Sequence, residues 1–304
     1  MKKFLYIFVP VIAITVGVVL FSKQGNNSGT DNSNDSTANQ LFPVTQITHG
    51  HGLAVDIADS TKVYIATHHG LLMLKDDTDL YQVGKSKDDY MGFSPHPTDP
   101  KIFYSSGHPS VGGNIGFQMS EDGGLSWKKV SGGVNGPVDF HAMTVSPVNP
   151  NLIYGWYHGN VQRSQDGGKT WEIVNRGTLM VFLTADMKDE NIVYAASPQG
   201  QGILVSKDKG STWQQHSKDL AGGQVSTLAI NPQNPQNMLS FSEKLGLAKS
   251  KDTGVIWEKI NATFDGEILF IAFDKQDPKK VYALTHTNVL YKSLDSGETW
   301  DKIR

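Results

Sequence analysis

Five of the six tryptophans stand at nearly fixed intervals, Trp127, Trp171, Trp213, Trp257 and Trp300, with steps of 44, 42, 44 and 43 residues. A period this regular restricts the fold to units of one size, stacked in a row or closed into a ring. Each Trp ends the same local string. The clear copies are Ser120-Glu-Asp122-Gly-Gly124-Leu-Ser-Trp127, Ser164-Gln-Asp166-Gly-Gly168-Lys-Thr-Trp171, Ser206-Lys-Asp208-Lys-Gly210-Ser-Thr-Trp213 and Ser293-Leu-Asp295-Ser-Gly297-Glu-Thr-Trp300. A weaker copy runs Ser250-Lys-Asp252-Thr-Gly254-Val-Ile-Trp257. An Asp carboxylate can accept backbone N–H groups of a tight turn, and Gly supplies a positive φ there. The Trp ring then buries against the neighbouring repeat. Asp122, Asp166, Asp208, Asp252 and Asp295 are therefore expected to be structural.

The pattern Ser-x-Asp-x-Gly-x-Thr-Trp resembles the Asp-box, or BNR repeat, of sialidases, sortilin-type ectodomains and several glycoside hydrolases. The resemblance implies a β-propeller whose ligands lie at the end of the disc opposite the boxes. It specifies the repeat far better than it specifies an activity.

A second string precedes each box: Ser146-Pro-Val-Asn-Pro150-Asn-Leu-Ile-Tyr154, Asn231-Pro-Gln-Asn-Pro235-Gln-Asn-Met-Leu239 and Asp274-Lys-Gln-Asp-Pro278-Lys-Lys-Val-Tyr282. Looser copies end at Tyr64, Tyr104 and Tyr194, which makes six repeats, the first with a decayed box at Lys75-Asp-Asp77-Thr-Asp-Leu-Tyr81. Residues 41–304 divide into six units of 44. That is the size of a four-stranded propeller blade, about 40–45 residues. In the third unit the expected strands are 140–145, 152–157, 160–164 and 171–174. The fold expected is an all-β six-bladed propeller.

Ahead of it, Met1-Lys2-Lys3 leads into an uncharged apolar run from Phe4 to Phe21. At 1.5 Å per residue that run is about 27 Å long, close to the hydrocarbon thickness of a bilayer. No small-x-small cleavage site follows it, so residues 1–23 are expected to be an uncleaved transmembrane anchor with Lys2 and Lys3 in the cytoplasm. Residues 24–40, almost wholly Asn, Ser, Asp, Gly and Thr, are expected to be a disordered tether. The propeller then lies on the extracytoplasmic side of a single-pass membrane protein. The absence of cysteine excludes disulfides, zinc ribbons and lipobox acylation, and with the composition it points to a Gram-positive cell surface. A net charge of −3 gives no footprint for nucleic acid.

The ten histidines are the feature the repeat does not explain. Four residues beyond the Tyr of each second strand stand His68, His108, His158, Pro198, Glu243 and His286. Aligning first strands places His51, Asp89 and His141 at another shared position, with His49 and His69 beside them. Eight histidines map to one end of the disc, leaving His96 and His216 elsewhere. Imidazole with carboxylate suits zinc, copper, nickel or iron. His51, His68, His108, His141 and His158 are the metal candidates, for copper or zinc, and Glu243 and His286 extend the ligand-binding set. The plain alternative is a turn residue repeated because each blade needs it.

Sialidase chemistry, as the resemblance would have it, needs three arginines on the substrate carboxylate. The chain has only Arg163, Arg176 and Arg304, badly placed for a clamp. Other hydrolases on this scaffold use a carboxylate pair, for which Asp89, Asp139 and Glu243 lead, with Asp265 and Glu267 behind them. Trp156, Tyr157 and His158 offer an aromatic platform. Three functions stay open: a propeller binding a ligand or metal at its His-rich face, a glycoside hydrolase acting on extracellular polysaccharide, and a protein-interaction scaffold of the kind implied by the resemblance to sortilin ectodomains and photosystem assembly propellers.

Overall fold

The structure is a computed structural model that describes residues 40–304. The expected anchor and all of the tether before Gln40 lie outside them. Among the described residues there is no helix, so none is long and apolar enough to cross a membrane.

Among the described residues twenty-five strands form six antiparallel sheets. Blade one is β2 (Gly50–Val55), β3 (Lys62–Thr67), β4 (Gly70–Lys75) and β5 (Asp79–Val83), with the short β1 (Leu41–Pro43) added outside β5. Blade two is β6 (Asp89–Pro95), β7 (Phe103–His108), β8 (Phe117–Ser120) and β9 (Lys128–Ser131). Blade three is β10 (Ala142–Val145), β11 (Ile153–Tyr157), β12 (Asn160–Ser164) and β13 (Glu172–Arg176). Blade four is β14 (Phe182–Ala185) to β17 (Gln214–Gln215), and blade five is β18 (Val225–Ile230) to β21 (Glu258–Lys259). Blade six is β22 (Ile268–Phe273), β23 (Val281–Thr285), β24 (Leu290–Ser293) and β25 (Asp301–Lys302). In blade three the innermost strand starts at Ala142, two residues later than the sequence suggests, and the outermost is shifted to Glu172–Arg176. The innermost strands line an axial channel floored by residues such as Val55, Phe93, Met143, Leu183, Ile230 and Ile271.

The boxes do what their chemistry dictates. Asp166 Oδ1 accepts the Ser164 hydroxyl at 2.8 Å and Thr170 N at 2.9 Å, while Oδ2 accepts the Thr170 hydroxyl at 2.6 Å. Ser164 Oγ in turn accepts Gly168 N, and Trp171 Nε1 donates to Gly168 O. The same pattern recurs at Asp122, Asp208 and Asp295. Asp252 lacks the hydroxyl bond because Ile256 stands where the others have Ser or Thr. These bonds hold Asp166 ionised, its pKa lowered to about 2, chiefly by the Thr170 hydroxyl and amide.

Each box Trp packs into the seam between its own blade and the one before. Trp127 joins the blade one–two cluster, Trp171 two–three, Trp213 three–four, Trp257 four–five and Trp300 five–six. A Cβ on Gly168, at φ +86°, would lie 1.9 Å from the Phe117 ring of the preceding blade, so the box backbone needs glycine there.

The sixth seam, between blades six and one, has no box Trp. Val55, Ile65, Leu72, Leu74, Tyr282, Leu284 and Leu290 fill it. The decayed box closes the ring by another route: Asp77 accepts the Tyr282 hydroxyl at 2.8 Å and pairs with Lys292. Arg304 donates to Thr78 O at 2.8 Å and Thr45 O at 3.1 Å.

Candidate functional site

The turns between first and second strands share one end of the disc with the boxes, and their capping residues are settled by hydrogen bonding. Asp56, Asp186, Asn231 and Asp274 each accept two amides of the following turn. In blade two that place is taken by His96, whose Nδ1 accepts Thr98 N at 3.2 Å and Asp99 N at 3.0 Å. His216 Nε2 contacts Thr253 O at 2.8 Å in the next blade's box. The two histidines outside the registered set are thus turn and seam residues.

At the opposite end the register differs from the sequence alignment. Ala54, Ser94 and Thr144 pair with Tyr64, Tyr104 and Tyr154. Counting five back from each gives His49, Asp89 and Asp139; counting three back gives His51, Met91 and His141. Asp89 is therefore the counterpart of Asp139, not of His51 and His141. β2 and β6 each carry a bulge on this stretch, whereas β10 pairs without one.

The bulge in β2 also aims His51. Gly50 and Gly52 flank it, and a Cβ on Gly50 would lie 2.4 Å from Leu284 Cδ2, one on Gly52 2.8 Å from Phe93 Cβ. The backbone is pressed between blades six and two, and His51 is the side chain left to project into the mouth of the channel.

Two buried aspartates organise the cluster. Asp89 Oδ2 accepts from His68 Nδ1 at 2.6 Å, which joins blade one to blade two. His68 Nε2 lies 3.0 Å from His51 Nε2, and the His49 ring stacks on His68 with centroids 5.1 Å apart. One blade further on, Asp139 Oδ2 is 2.9 Å from both His108 Nε2 and His141 Nε2. The second oxygen of each aspartate, Oδ1, is buried without a hydrogen-bond partner. Burial, followed by the charges of His68, His49 and His141, pushes the His51 pKa down to about 3, so this imidazole is neutral. Burial would raise the Asp139 carboxyl, but the hydrogen bonds and charges of His141 and His108 outweigh it and hold the pKa below the usual carboxylate value. The Asp139 hydrogen bond raises His141 despite partial burial.

The registered position therefore splits by blade. His68 and His108 reach across to the next blade's aspartate. Glu243 Oε2 and His286 Nδ1 instead accept amides of their own blade, Gln224 N and Glu267 N, each at 3.0 Å. They are the repeated turn residue that the sequence also allowed, and the structure does not bring them into the cluster. His158 sits at φ +48° in a tight turn, its ring edge-on to Tyr157. His69 lies tilted at the edge of His68. His49 belongs with the central group; its place beside His51 in the His-Gly-His-Gly run was the available signal.

Beside the cluster opens a hollow of about 570 Å³, lined on the blade three–four side by Trp156, Tyr157, His158, Leu179, Met180 and Val181. Phe270 and Met91 complete its apolar surface, and His51, Asp139 and His141 form its polar wall. Trp156 Nε1 donates to Thr178 O at 2.9 Å, so the ring is fixed. The arginines are engaged elsewhere: Arg163 with Glu172 and Lys209 O, Arg176 with Asn160, Arg304 with the closure.

The model of the family described as photosynthesis system II assembly factor YCF48 matches residues 120–304. The chain belongs to this family. YCF48 structures share the fold. One titled as YCF48 bound to D1 peptide has a TM-score of 0.54 at 15% identity, over 87% of this chain and 85% of that one. YCF48 from Cyanidioschyzon merolae has a TM-score of 0.54 at 18% identity, over 86% and 88%. The GH74 enzyme of Niastella koreensis aligns with a TM-score of 0.63 at 14% identity, over 87% of this chain but 47% of its own. A curated xyloglucanase from Hypocrea jecorina (strain QM6a) is 25% identical over 154 residues, half of this chain and 18% of the enzyme. The chain thus spans under a fifth of that enzyme's length. The likeness to sialidases and sortilins rests on the box turns alone.

Proposed function

We propose that this YCF48-family propeller is a membrane-tethered, extracytoplasmic assembly protein that receives an extended polypeptide segment of a partner in the hollow beside the His–Asp cluster. The observation that carries it is the two-sided lining of that hollow. Fixed aromatic and aliphatic side chains from Trp156 to Val181 offer burial for apolar side chains, and Asp139 with His141 and His51 offers hydrogen bonds to a main chain. The family, and the peptide bound by a YCF48 relative of the same fold, support the reading. The apolar run before the tether supports the membrane anchor and the location outside the cell.

The rival is a glycoside hydrolase, favoured by the stretch similar to a xyloglucanase. A general acid for glycoside cleavage needs a raised pKa. Asp139, the most deeply set carboxylate of the hollow, is held low, which suits a fixed acceptor better than a proton donor.

A photo-cross-linking phenylalanine analogue at Val181, in the hollow, should trap polypeptide in intact cells. The same analogue at Leu294, exposed at the box end, should not. Adducts from Leu294 alone, or release of reducing sugar from xyloglucan that Asp139→Asn abolishes, would contradict the proposal.

A further inference from the structure

We infer that His49, His51 and His68, with Asp89 orienting His68, form a binding site for one divalent transition-metal ion of the zinc–copper class. The site borders the neighbouring hollow and shares His51 with its wall. Ligand atoms of the three histidines all lie within 4.8 Å of one another. His68 and His51 face each other Nε2 to Nε2 at 3.0 Å. Tetrahedral zinc with bonds of about 2.0–2.1 Å to nitrogen needs its ligand nitrogens roughly 3.4 Å apart. The two rings meet T-shaped with centroids 4.1 Å apart, so they turn and part to admit the ion between their Nε2 atoms.

The carboxylate supplies the second, independent observation. Asp89 is 9% exposed, and its Oδ1 is buried with no hydrogen-bond partner. That oxygen lies 3.8 Å from His51 Nε2, too far for a hydrogen bond, so the carboxylate is free to be held by its other oxygen alone. The other oxygen, Oδ2, already accepts the His68 Nδ1 proton at 2.6 Å. This fixes the His68 tautomer so that Nε2 presents a lone pair to the cluster, the way carboxylates orient imidazoles on metals. His51 takes the Nδ1–H tautomer on binding, so the ion displaces its N–H···N contact without net loss of a proton. His49, stacked on His68 and exposed, closes the site from solvent.

The charge and donor set explain the choice of metal. Three imidazole nitrogens suit borderline ions such as Zn²⁺ and Cu²⁺, whereas Mg²⁺ and Ca²⁺ prefer oxygen. The neighbouring pair does not duplicate the site, because His108 and His141 both converge on the same oxygen of Asp139.

Titration of the full chain with Zn²⁺ against a chromogenic chelator should give one tight equivalent. His51→Ala and His68→Ala should each weaken it at least 100-fold, and Asp89→Asn about 10- to 100-fold. His158→Ala should leave it unchanged. His49→Ala, at an exposed position, should weaken binding about tenfold even if deeper variants fold poorly. Copper-loaded protein should show electron-paramagnetic coupling to three imidazole nitrogens. Binding that survives the combined His49→Ala, His51→Ala and His68→Ala variant within threefold would overturn the inference. Equal loss in His158→Ala, or a copper spectrum without coupled nitrogens, would do the same.

Discussion

His96 and His51 are the same residue type put to opposite uses, and the neighbours decide which. His96 accepts two amides through Nδ1, a role that only the unprotonated ring can fill, and burial lowers its pKa. A folded-state pKa below the unfolded value near 6.5 means its contribution is complete at neutral pH and is lost as pH falls through the folded value. His96→Asp installs the residue found at this place in blades one, four and six. The variant is predicted to keep the wild-type melting temperature at pH 7.5 and to lose less of it at pH 5. An identical pH dependence in both proteins, read by circular dichroism, would count against this account. In the sequence His96 was only a histidine out of register, since its capping role rests on a blade-two turn whose other copies carry Asp, Asn or Ser. Asp139 and His141 were legible as site candidates, but their bond was not. It depends on how far blade three's first strand is offset, and no repeat count reveals that.

The box is the element in which sequence and structure agree most closely, because its hydrogen bonds are local and each donor lies within four residues of the acceptor. Asp252 shows what one position contributes. Ile256 is 62% exposed and replaces the hydroxyl that Asp122, Asp166, Asp208 and Asp295 all receive. Ile256→Thr is predicted to add that bond and raise stability by about 0.5–1.5 kcal/mol, measured by denaturant unfolding. Gly168→Ala should do the reverse and sharply, since the new methyl meets Phe117 at 1.9 Å and φ is +86°. A neutral result there would refute the packing described for the seam. The bulges of β2 and β6 are marked in the sequence only by glycines, Gly50 and Gly52 in the first and Gly92, at φ +57°, in the second. Glycine is common in this chain's turns, so these did not show where an extra residue falls.

Six blades in one ring follow from a 44-residue period, but how the ring closes does not. Five seams use a box Trp, and the sixth relies on the packed residues of blades one and six with Asp77, Tyr282, Lys292 and Arg304. Asp77→Ala leaves the Tyr282 hydroxyl and Lys292 without their acceptor. It should raise amide hydrogen exchange in β4, β5, β23 and β24 while β14 to β17 stay protected; a uniform increase would show that closure is not local. The molecule is asymmetric at its open end too, with buried aspartates at the blade one–two and two–three seams and an apolar wall across blades three and four, the sector proposed to bind a partner. Cross-linking from Val181 against Leu294 in intact cells tests this most directly. The account predicts polypeptide adducts at Val181 that fall at least fivefold when Tyr157 and Met180 are changed to Ala, and none at Leu294. Adducts insensitive to those changes, or confined to Leu294, would contradict it.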